Sequence, residues 1–174
     1  MTLLDRLLQH DAWTTRRLLL RSANLTDDQL DRDFDLGRRT LRATFSHVIG
    51  NMEVWTDLMT GAPVRDWGGE SVADLLNRLD RAADDLADLA HDIEGRDAWD
   101  EQWTDTLDDP PTMKTYGGAI AHIITHSMHH RAQLLYMLRR LGVRDLPEGD
   151  VLSWERQATG NPAPEPELDQ EHRS

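Results

Sequence analysis

The stretch GGAIAHIITHSMHHRAQLLYMLRRL, residues 117–141, holds four of the eight histidines of the chain within nine positions. Its apolar residues recur at helical spacing and predict one long amphipathic helix that ends at Gly142. On a helical wheel His126 and His130 are about 40° apart and one turn apart along the axis. The histidines adjoin an apolar sector formed by Ile120, Ile123, Leu134 and Leu138. We therefore expect the imidazoles at the rim of a buried helix face, within reach of solvent.

Three further segments carry the same helical period, each with one apolar face. They extend over residues 2 to about 22, 40–61 and 71–95. Each begins at a hydroxyl residue that can cap a helix N-terminus, namely Thr2, Thr40 and Ser71. Four helices of about 20 residues with one apolar face each must bury those faces against one another. The sequence therefore predicts an all-α fold, an up-down four-helix bundle.

The segments between and after these helices are shorter or irregular. Thr26 caps a predicted single helical turn, and residues 150–158 predict one short extra C-terminal helix. Residues 96–116 include two prolines and several acids without a sustained period, so we expect a long loop with a short extended pair of segments. Residues 159–174 are acidic and rich in proline, which is typical of disorder. Residues 1–158 are expected to form a single domain.

Charge and composition exclude several classes of protein. The 174-residue chain has a formal net charge of −13, which argues against a nucleic-acid partner, because phosphate contacts require a basic surface. The absence of cysteine excludes disulfides, thiolate metal sites and a cysteine nucleophile. No apolar run approaches the roughly 20 residues of a membrane span, and no charged-then-apolar leader opens the chain. We therefore expect a cytoplasmic protein without a membrane partner.

The spacing of His126 and His130 is that of a metal-binding pair, because neutral imidazole is the commonest protein ligand for zinc and related ions. A site built by protein usually needs a third ligand from elsewhere in the chain. His47 is the best candidate, since it lies on the apolar surface of the second helix, where an unpartnered ring would carry a desolvation cost. Spacing alone does not reject the alternative pair of His122 with His126. Weaker candidates for the third ligand are His10, His91 and His172.

Other polar residues of the fourth helix have predicted roles around this site. Gln133 lies on the histidine side of the wheel and is predicted either to hydrogen-bond to a ligand histidine or to make an interhelical polar contact. His122 and His129 are interpreted as residues of the pocket wall or the surface. Arg131 falls about 140° from His126 on the wheel, away from the site, which favours a structural ion pair.

The segment HSMHHRAQ, residues 126–133, resembles the His-x-x-x-His-Arg-Gly-Gln signature of the DinB/YfiT-like family of metal-dependent proteins. His47 with Trp55 is similar to the family's second-helix histidine and aromatic position. The resemblance extends over about residues 1–158. Ala132 stands where the family more often has glycine, and since both residues are small, we expect close helix packing to survive.

The resemblance implies a four-helix bundle, often a homodimer, in which His47, His126 and His130 hold a divalent metal ion, with zinc or nickel expected. Three histidines leave one coordination position open, so a metal-bound water or thiolate is the expected nucleophile. Ser127 follows His126 where a zinc protease would have glutamate, which disfavours peptide hydrolysis. Members of the family include bacillithiol S-transferases and mycothiol-dependent maleylpyruvate isomerase.

The resemblance, together with the open coordination position, implies a metal-dependent enzyme, a thiol-dependent S-transferase or a hydrolase, that acts on a small electrophilic substrate. A low-molecular-weight thiol such as bacillithiol is the expected cofactor of the transferase. No catalytic side chain is assigned beyond the water or thiolate on the ion. The alternative is a noncatalytic metal-binding protein, with a stress-response or structural role, whose ion ties the second and fourth helices together.

Overall fold

The structure, a computed structural model, describes residues 1–158 and Gly160. Within this part, six helices and two short strands follow one another as α1 (Leu3–Ser22), α2 (Asp27–Leu30), α3 (Leu41–Thr60), α4 (Val72–Gly95), β1 (Gln102–Asp105), β2 (Thr112–Thr115), α5 (Tyr116–Arg140) and α6 (Val151–Ala158). The predicted all-α class with a short C-terminal helix is confirmed, since the strands form only one small sheet. The segment 159–174, predicted to be disordered, lies outside the described residues except for Gly160.

Each long helix begins at a hydroxyl side chain that accepts a hydrogen bond from the first turn. The predicted caps Thr2, Thr40 and Ser71 each accept from the backbone N–H three residues later at 3.1 Å. This bond satisfies a donor that has no partner inside the helix. Thr115 caps α5 in the same way, also at 3.1 Å, so α5 begins one residue earlier than predicted.

The four long helices form the predicted bundle, in which α1 and α3 each pack against both α4 and α5. Helices α3 and α4 run in the same direction, because residues 61–71 turn back along α3. The Arg65 backbone N–H donates to the Asp57 carboxylate at 2.9 Å. Farther along this return, Ser46 Oγ donates to the Glu70 carboxylate at 2.7 Å. Helix α4 therefore starts beside the beginning of α3.

The other two directions follow from contacts at the helix ends. The Tyr116 hydroxyl at the start of α5 donates to the Met59 carbonyl at the end of α3 at 3.3 Å, so α3 and α5 are antiparallel. Asp5 near the start of α1 contacts His91 near the end of α4 at 2.8 Å, so α1 and α4 are antiparallel too. In chain order the long helices run up, down, down and up, so the order departs from strict alternation at the parallel pair α3 and α4. This order puts the beginning of α3 beside the second half of α5.

The interior is built from the predicted apolar stripes of the four helices. Its fully buried side chains include Leu18 of α1, Phe45 and Ile49 of α3, Leu79 of α4 and Ile123 of α5. Burial of one such side chain stabilises the fold by about 1.5–3 kcal/mol. The same core therefore holds α3 and α5, the helices that carry the histidines, against each other.

Within residues 1–158, two buried ion pairs cross between helices. Arg131 of α5 pairs with Asp11 of α1, and both side chains are almost fully buried, which confirms the structural ion pair predicted for this arginine. Arg78 of α4 donates to the Glu53 carboxylate of α3 at 2.7 and 3.1 Å. Loss of one partner would leave a buried charge unpaired, at a cost of about 3–5 kcal/mol. Each pair therefore resists sliding of one helix along the other.

The long predicted loop, residues 96–116, contains the predicted short extended pair. Strands β1 and β2 pair antiparallel with Trp103 opposite Lys114. Strand β1 packs on α3 and strand β2 on α5. The hairpin is thereby held against the two helices that carry the histidines.

The short helix α6 packs on α1. Its Trp154 is buried, and the indole ring lies edge-on to His10 with the ring centroids 6.1 Å apart. Within residues 1–158, no helix has both the length and the apolarity that crossing a membrane requires.

Candidate metal centre

His47, His126 and His130 meet where the beginning of α3 faces the second half of α5. The ring centroids are 4.8 Å apart for His47 and His126, and 4.7 Å apart for His47 and His130. Those of His126 and His130 are 4.5 Å apart. One ring nitrogen from each residue lies within 4.8 Å of the other two, so the group could hold a metal ion. His130 is buried and the other two are half-buried, which puts the cluster at the rim of the bundle.

The spacing between two of the rings can be compared with that of ligands on one ion. The Nε2 atoms of His47 and His126 are 3.1 Å apart. Two nitrogen ligands at about 2.0–2.1 Å from a tetrahedral ion lie about 3.3 Å from each other. Imidazole suits zinc, nickel, copper and iron, and the chain has no cysteine to compete. The donor set and the spacing therefore fit a divalent ion.

Gln133 fixes the orientation of the His130 ring. His130 Nδ1 lies 2.8 Å from Gln133 Oε1. Because an amide oxygen can only accept, Nδ1 carries the proton and donates it, and the lone pair of His130 is at Nε2. Gln133 Nε2 in turn donates to His129 Nε2 at 3.1 Å. Proteins often orient ligand histidines through a partner on the ring nitrogen that does not bind metal, and Gln133 is placed to act in this way on His130 if Nε2 is the ligand atom.

The segment between α2 and α3 closes over the cluster through Gly37 and Arg38. Gly37 has φ +53, and a Cβ atom there would lie less than 3.0 Å from Cδ, Oε1 and Nε2 of Gln133. Arg38 directs its guanidinium to His47, with Nη2 2.9 Å from Nδ1 and 3.3 Å from Nε2. Neither residue is predicted from the sequence, because an irregular segment has no period that relates it to a helix face. The glycine within it was the one available signal.

Burial keeps the three rings neutral. The pKa of His47 is lowered from 6.5 to about 4, first by burial and then by the nearby Arg38 guanidinium. The pKa of His126 is also lowered to about 4, by burial and then by the neighbouring His130. Burial lowers the pKa of His130 too, although the hydrogen bond to Gln133 opposes this effect. Neutral imidazole is the form that binds metal ions, so no proton has to leave these rings near pH 7.

Aromatic rings line the side of the cluster that faces the start of α5. The His122 ring stacks on Trp55 with the ring centroids 4.9 Å apart. Trp103 of the hairpin meets Trp55 edge-on at 5.8 Å, and Lys114 Nζ lies 5.3 Å from the Trp55 ring. His122 and His129 are both exposed. The hairpin and His122 thus form a wall beside the three histidines.

The other candidate ligands lie away from this cluster. His10 is buried between α1 and α6, where its Nε2 is 3.1 Å from the Gly149 carbonyl oxygen. His91 contacts Asp5 near the far end of α4. His172 lies outside the described residues. Among the described histidines, His47 is therefore the one from another helix that meets the pair on α5.

The chain matches a known protein family along most of its length. A model of the DinB family matches residues 1–165, which is nearly the whole chain. A search of curated proteins finds no match. The resemblance first seen in residues 126–133 and at His47 is thus part of a likeness along the entire bundle. The chain belongs to the DinB family.

Proposed function

We propose that the protein binds one divalent metal ion, zinc or nickel, through His47, His126 and His130 and uses it as a metal-dependent enzyme. The observation that carries this proposal is the convergence of three neutral ring nitrogens, from two helices, within 4.8 Å of one another. Three protein ligands leave a coordination position for water or substrate, which is typical of catalytic rather than structural zinc sites. A divalent ion held there would supply Lewis acidity, which lowers the pKa of a bound water or thiol.

The surrounding residues support a site in which the ligand histidines are preorganised for metal binding. Gln133 holds the His130 proton on Nδ1, so the Nε2 lone pair needs no tautomer change. Burial disfavours the charged form of all three rings. Trp55 and His122 supply an aromatic surface on which a small substrate can rest, and the buried Trp103 packs edge-on against Trp55. The side chains thus bind, orient and partly desolvate, while the nucleophile comes from outside the chain.

A thiol nucleophile suits this site better than water. In the described part of the chain the three-histidine group itself includes no Asp or Glu, and of the two carboxylates in the neighbouring cavity Asp31 is paired with Arg42 and Glu70 accepts from Ser46. Ser127 stands where zinc proteases carry their glutamate base. A free thiol has a pKa near ~8.5, against ~15.7 for bulk water, so it ionises with less help. We therefore favour an S-transferase that joins a low-molecular-weight thiol such as bacillithiol to a small electrophile, with metal-assisted hydrolysis as the other reaction.

Metal analysis tests the ligand set. The full chain, purified without a histidine tag and loaded with zinc or nickel, should carry about one ion per protein. His47→Ala and His126→Ala should lose it, because two nitrogens do not hold a divalent ion tightly. His91→Ala is the matched control, since His91 is half-exposed and contacts Asp5 instead. Unchanged metal content in both ligand variants would overturn the site.

Turnover separates an enzyme from a noncatalytic metal protein. The loaded protein is mixed with a thiol and a panel of small electrophiles, and loss of free thiol is followed over time. Catalysis should require the ion and disappear in His47→Ala. A loaded protein that is inert, and whose melting temperature falls by many degrees on chelation, would instead support the noncatalytic role in which the ion ties α3 to α5. The homodimer and the cytoplasmic location stay predictions from the sequence.

A further inference from the structure

Arg38 brings a positive charge to the histidine cluster without a carboxylate to balance it. Its guanidinium contacts the His47 ring, and it forms no ion pair with any residue in the part of the chain that the structure describes. The arginines that follow it are paired: Arg39 donates to Asp33 at 3.0 Å, and Arg42 donates to Asp31 at 2.7 Å. A neutral imidazole offers one lone pair and no charge. The charge of Arg38 is therefore available to a ligand.

The backbone around Arg38 holds it against the site. Gly37 on one side has φ +53 and packs on Gln133. Arg39 on the other side has φ 72, and its N–H and C=O bond to Leu36 and Phe34 at 2.8 Å. Left-handed backbone at a residue other than glycine costs on the order of 1 kcal/mol or more and persists only where the surroundings impose it. The local fold thus presents Arg38 to the cluster at a defined place.

Metal binding changes what Arg38 can contact. A neutral imidazole that accepts from Arg38 at one nitrogen carries its proton on the other. Once His47 Nε2 binds an ion, the proton must sit on Nδ1, which can then no longer accept from the guanidinium. The Arg38 N–H groups lose their partner, and two positive charges stand next to each other. An anion that contacts both would satisfy the guanidinium and neutralise the site.

There is room for such an anion beside His47. An open cavity of about 320 Å³ is lined by Arg38, His47, Arg42 and Trp67, among others. Of its two carboxylates, Asp31 is paired with Arg42, and Glu70 accepts a hydrogen bond from the Ser46 hydroxyl. The guanidinium of Arg38 therefore lines this space as a cation that has no carboxylate partner among the described residues.

We propose that Arg38 is an anion-binding residue of the site, which holds an oxyanion of the ligand, a carboxylate or a phosphate, beside the open coordination position of the ion. This inference rests on the proposed metal site and adds the chemical class of what binds there. The planar guanidinium fork matches two oxygens of such a group, which an ammonium group cannot do. The ligand is thus a small anionic molecule, and Arg38 selects for its charge.

Cobalt(II) in place of the native ion gives a readout that needs no activity. Untagged protein is loaded with cobalt, and its visible absorption bands are titrated with acetate and, separately, with phosphate at constant ionic strength. The wild type should change its bands on addition of an anion, and Arg38→Gln should keep its cobalt but bind the anion about 10 to 100 times more weakly, as for loss of a charge-assisted hydrogen bond. Arg38→Lys should fall between them. Arg32→Gln, which removes an equal charge from the same segment, should match the wild type.

Each outcome decides the proposal. A weaker response to acetate or to phosphate in Arg38→Gln identifies which oxyanion Arg38 binds. Equal anion affinity in Arg38→Gln and wild type, or no response of the wild type to either anion, overturns the inference while the metal site stands. Loss of cobalt from Arg38→Gln overturns it as well, because the residue would then support the ligands instead. A wild type that binds no cobalt removes the proposed function and this inference together.

Discussion

Gly37→Ala should weaken metal binding although residue 37 contacts none of the three ligand rings. The glycine touches Gln133, and Gln133 holds the His130 proton on Nδ1. A methyl group at this position would lie 2.8 Å from Gln133 Cδ, whereas ordinary contact begins at 3.4 Å. The end of the Gln133 side chain must therefore withdraw by at least about 0.6 Å. A hydrogen bond of 2.8 Å between His130 and Gln133 stretches toward its limit under such a shift.

The magnitude has two separate parts. Left-handed backbone costs alanine on the order of 1 kcal/mol relative to glycine, which lowers the free energy of unfolding. The clash itself adds little to that loss, because the end of a glutamine side chain can swing into solvent. What is lost is the partner of His130, and loss of such a partner typically reduces metal affinity about 10- to 100-fold. This corresponds to about 1.4–2.7 kcal/mol of binding free energy.

Gly61→Ala is the matched control. Gly61 also has a left-handed backbone, with φ +71, but a Cβ atom there meets nothing within 4 Å. Both variants should lose a similar free energy of unfolding in urea denaturation of the metal-free protein. In competition with a chromophoric zinc chelator, only Gly37→Ala should show a higher Kd.

A double variant checks the route of the effect. In Gln133→Ala the amide that Gly37 touches is gone, so adding Gly37→Ala should raise the Kd no further. Equal zinc affinity of Gly37→Ala and Gly61→Ala would refute the reasoning. So would full additivity of Gly37→Ala and Gln133→Ala, because Gly37 would then act through something other than Gln133.

Two further predictions concern stability. Asp11→Asn should lower the free energy of unfolding by about 3–5 kcal/mol, because Arg131 would keep its charge in the core without a carboxylate; urea denaturation measures this, and a loss below about 1 kcal/mol would contradict it. Acidifying the metal-free protein from pH 7 to pH 5 should also destabilise it, since the pKa values of His47 and His126 are about 4 when folded and return to 6.5 when unfolded. Between pH 7 and pH 5 the unfolded chain binds more protons than the folded one, so the free energy of unfolding decreases as the pH is lowered. The His47→Ala variant should show a smaller decrease than the wild type.

Much of the fold can be predicted from the sequence, because a helix is specified by residues that are close together in the chain. The apolar period, the hydroxyl caps Thr2, Thr40 and Ser71, and the stop at Gly61 all act over a few residues. The relative directions of the helices are not specified in this local way. Whether α4 runs with or against α3 depends on the path of residues 61–71, and that path is set by contacts such as Arg65 with Asp57, which join residues on different elements.

The sequence by itself determined that four amphipathic helices form the fold and that His126 and His130 share a helix face, because both facts are consequences of helical period. Only the tertiary structure decided that His47 of α3 meets this pair, and that Gly37 and Arg38 close over the cluster. The physical reason is the separation along the chain over which each effect acts. A helix relates residues three or four apart, whereas the surroundings of a ring are set by whatever the packed core brings to it from distant parts of the chain.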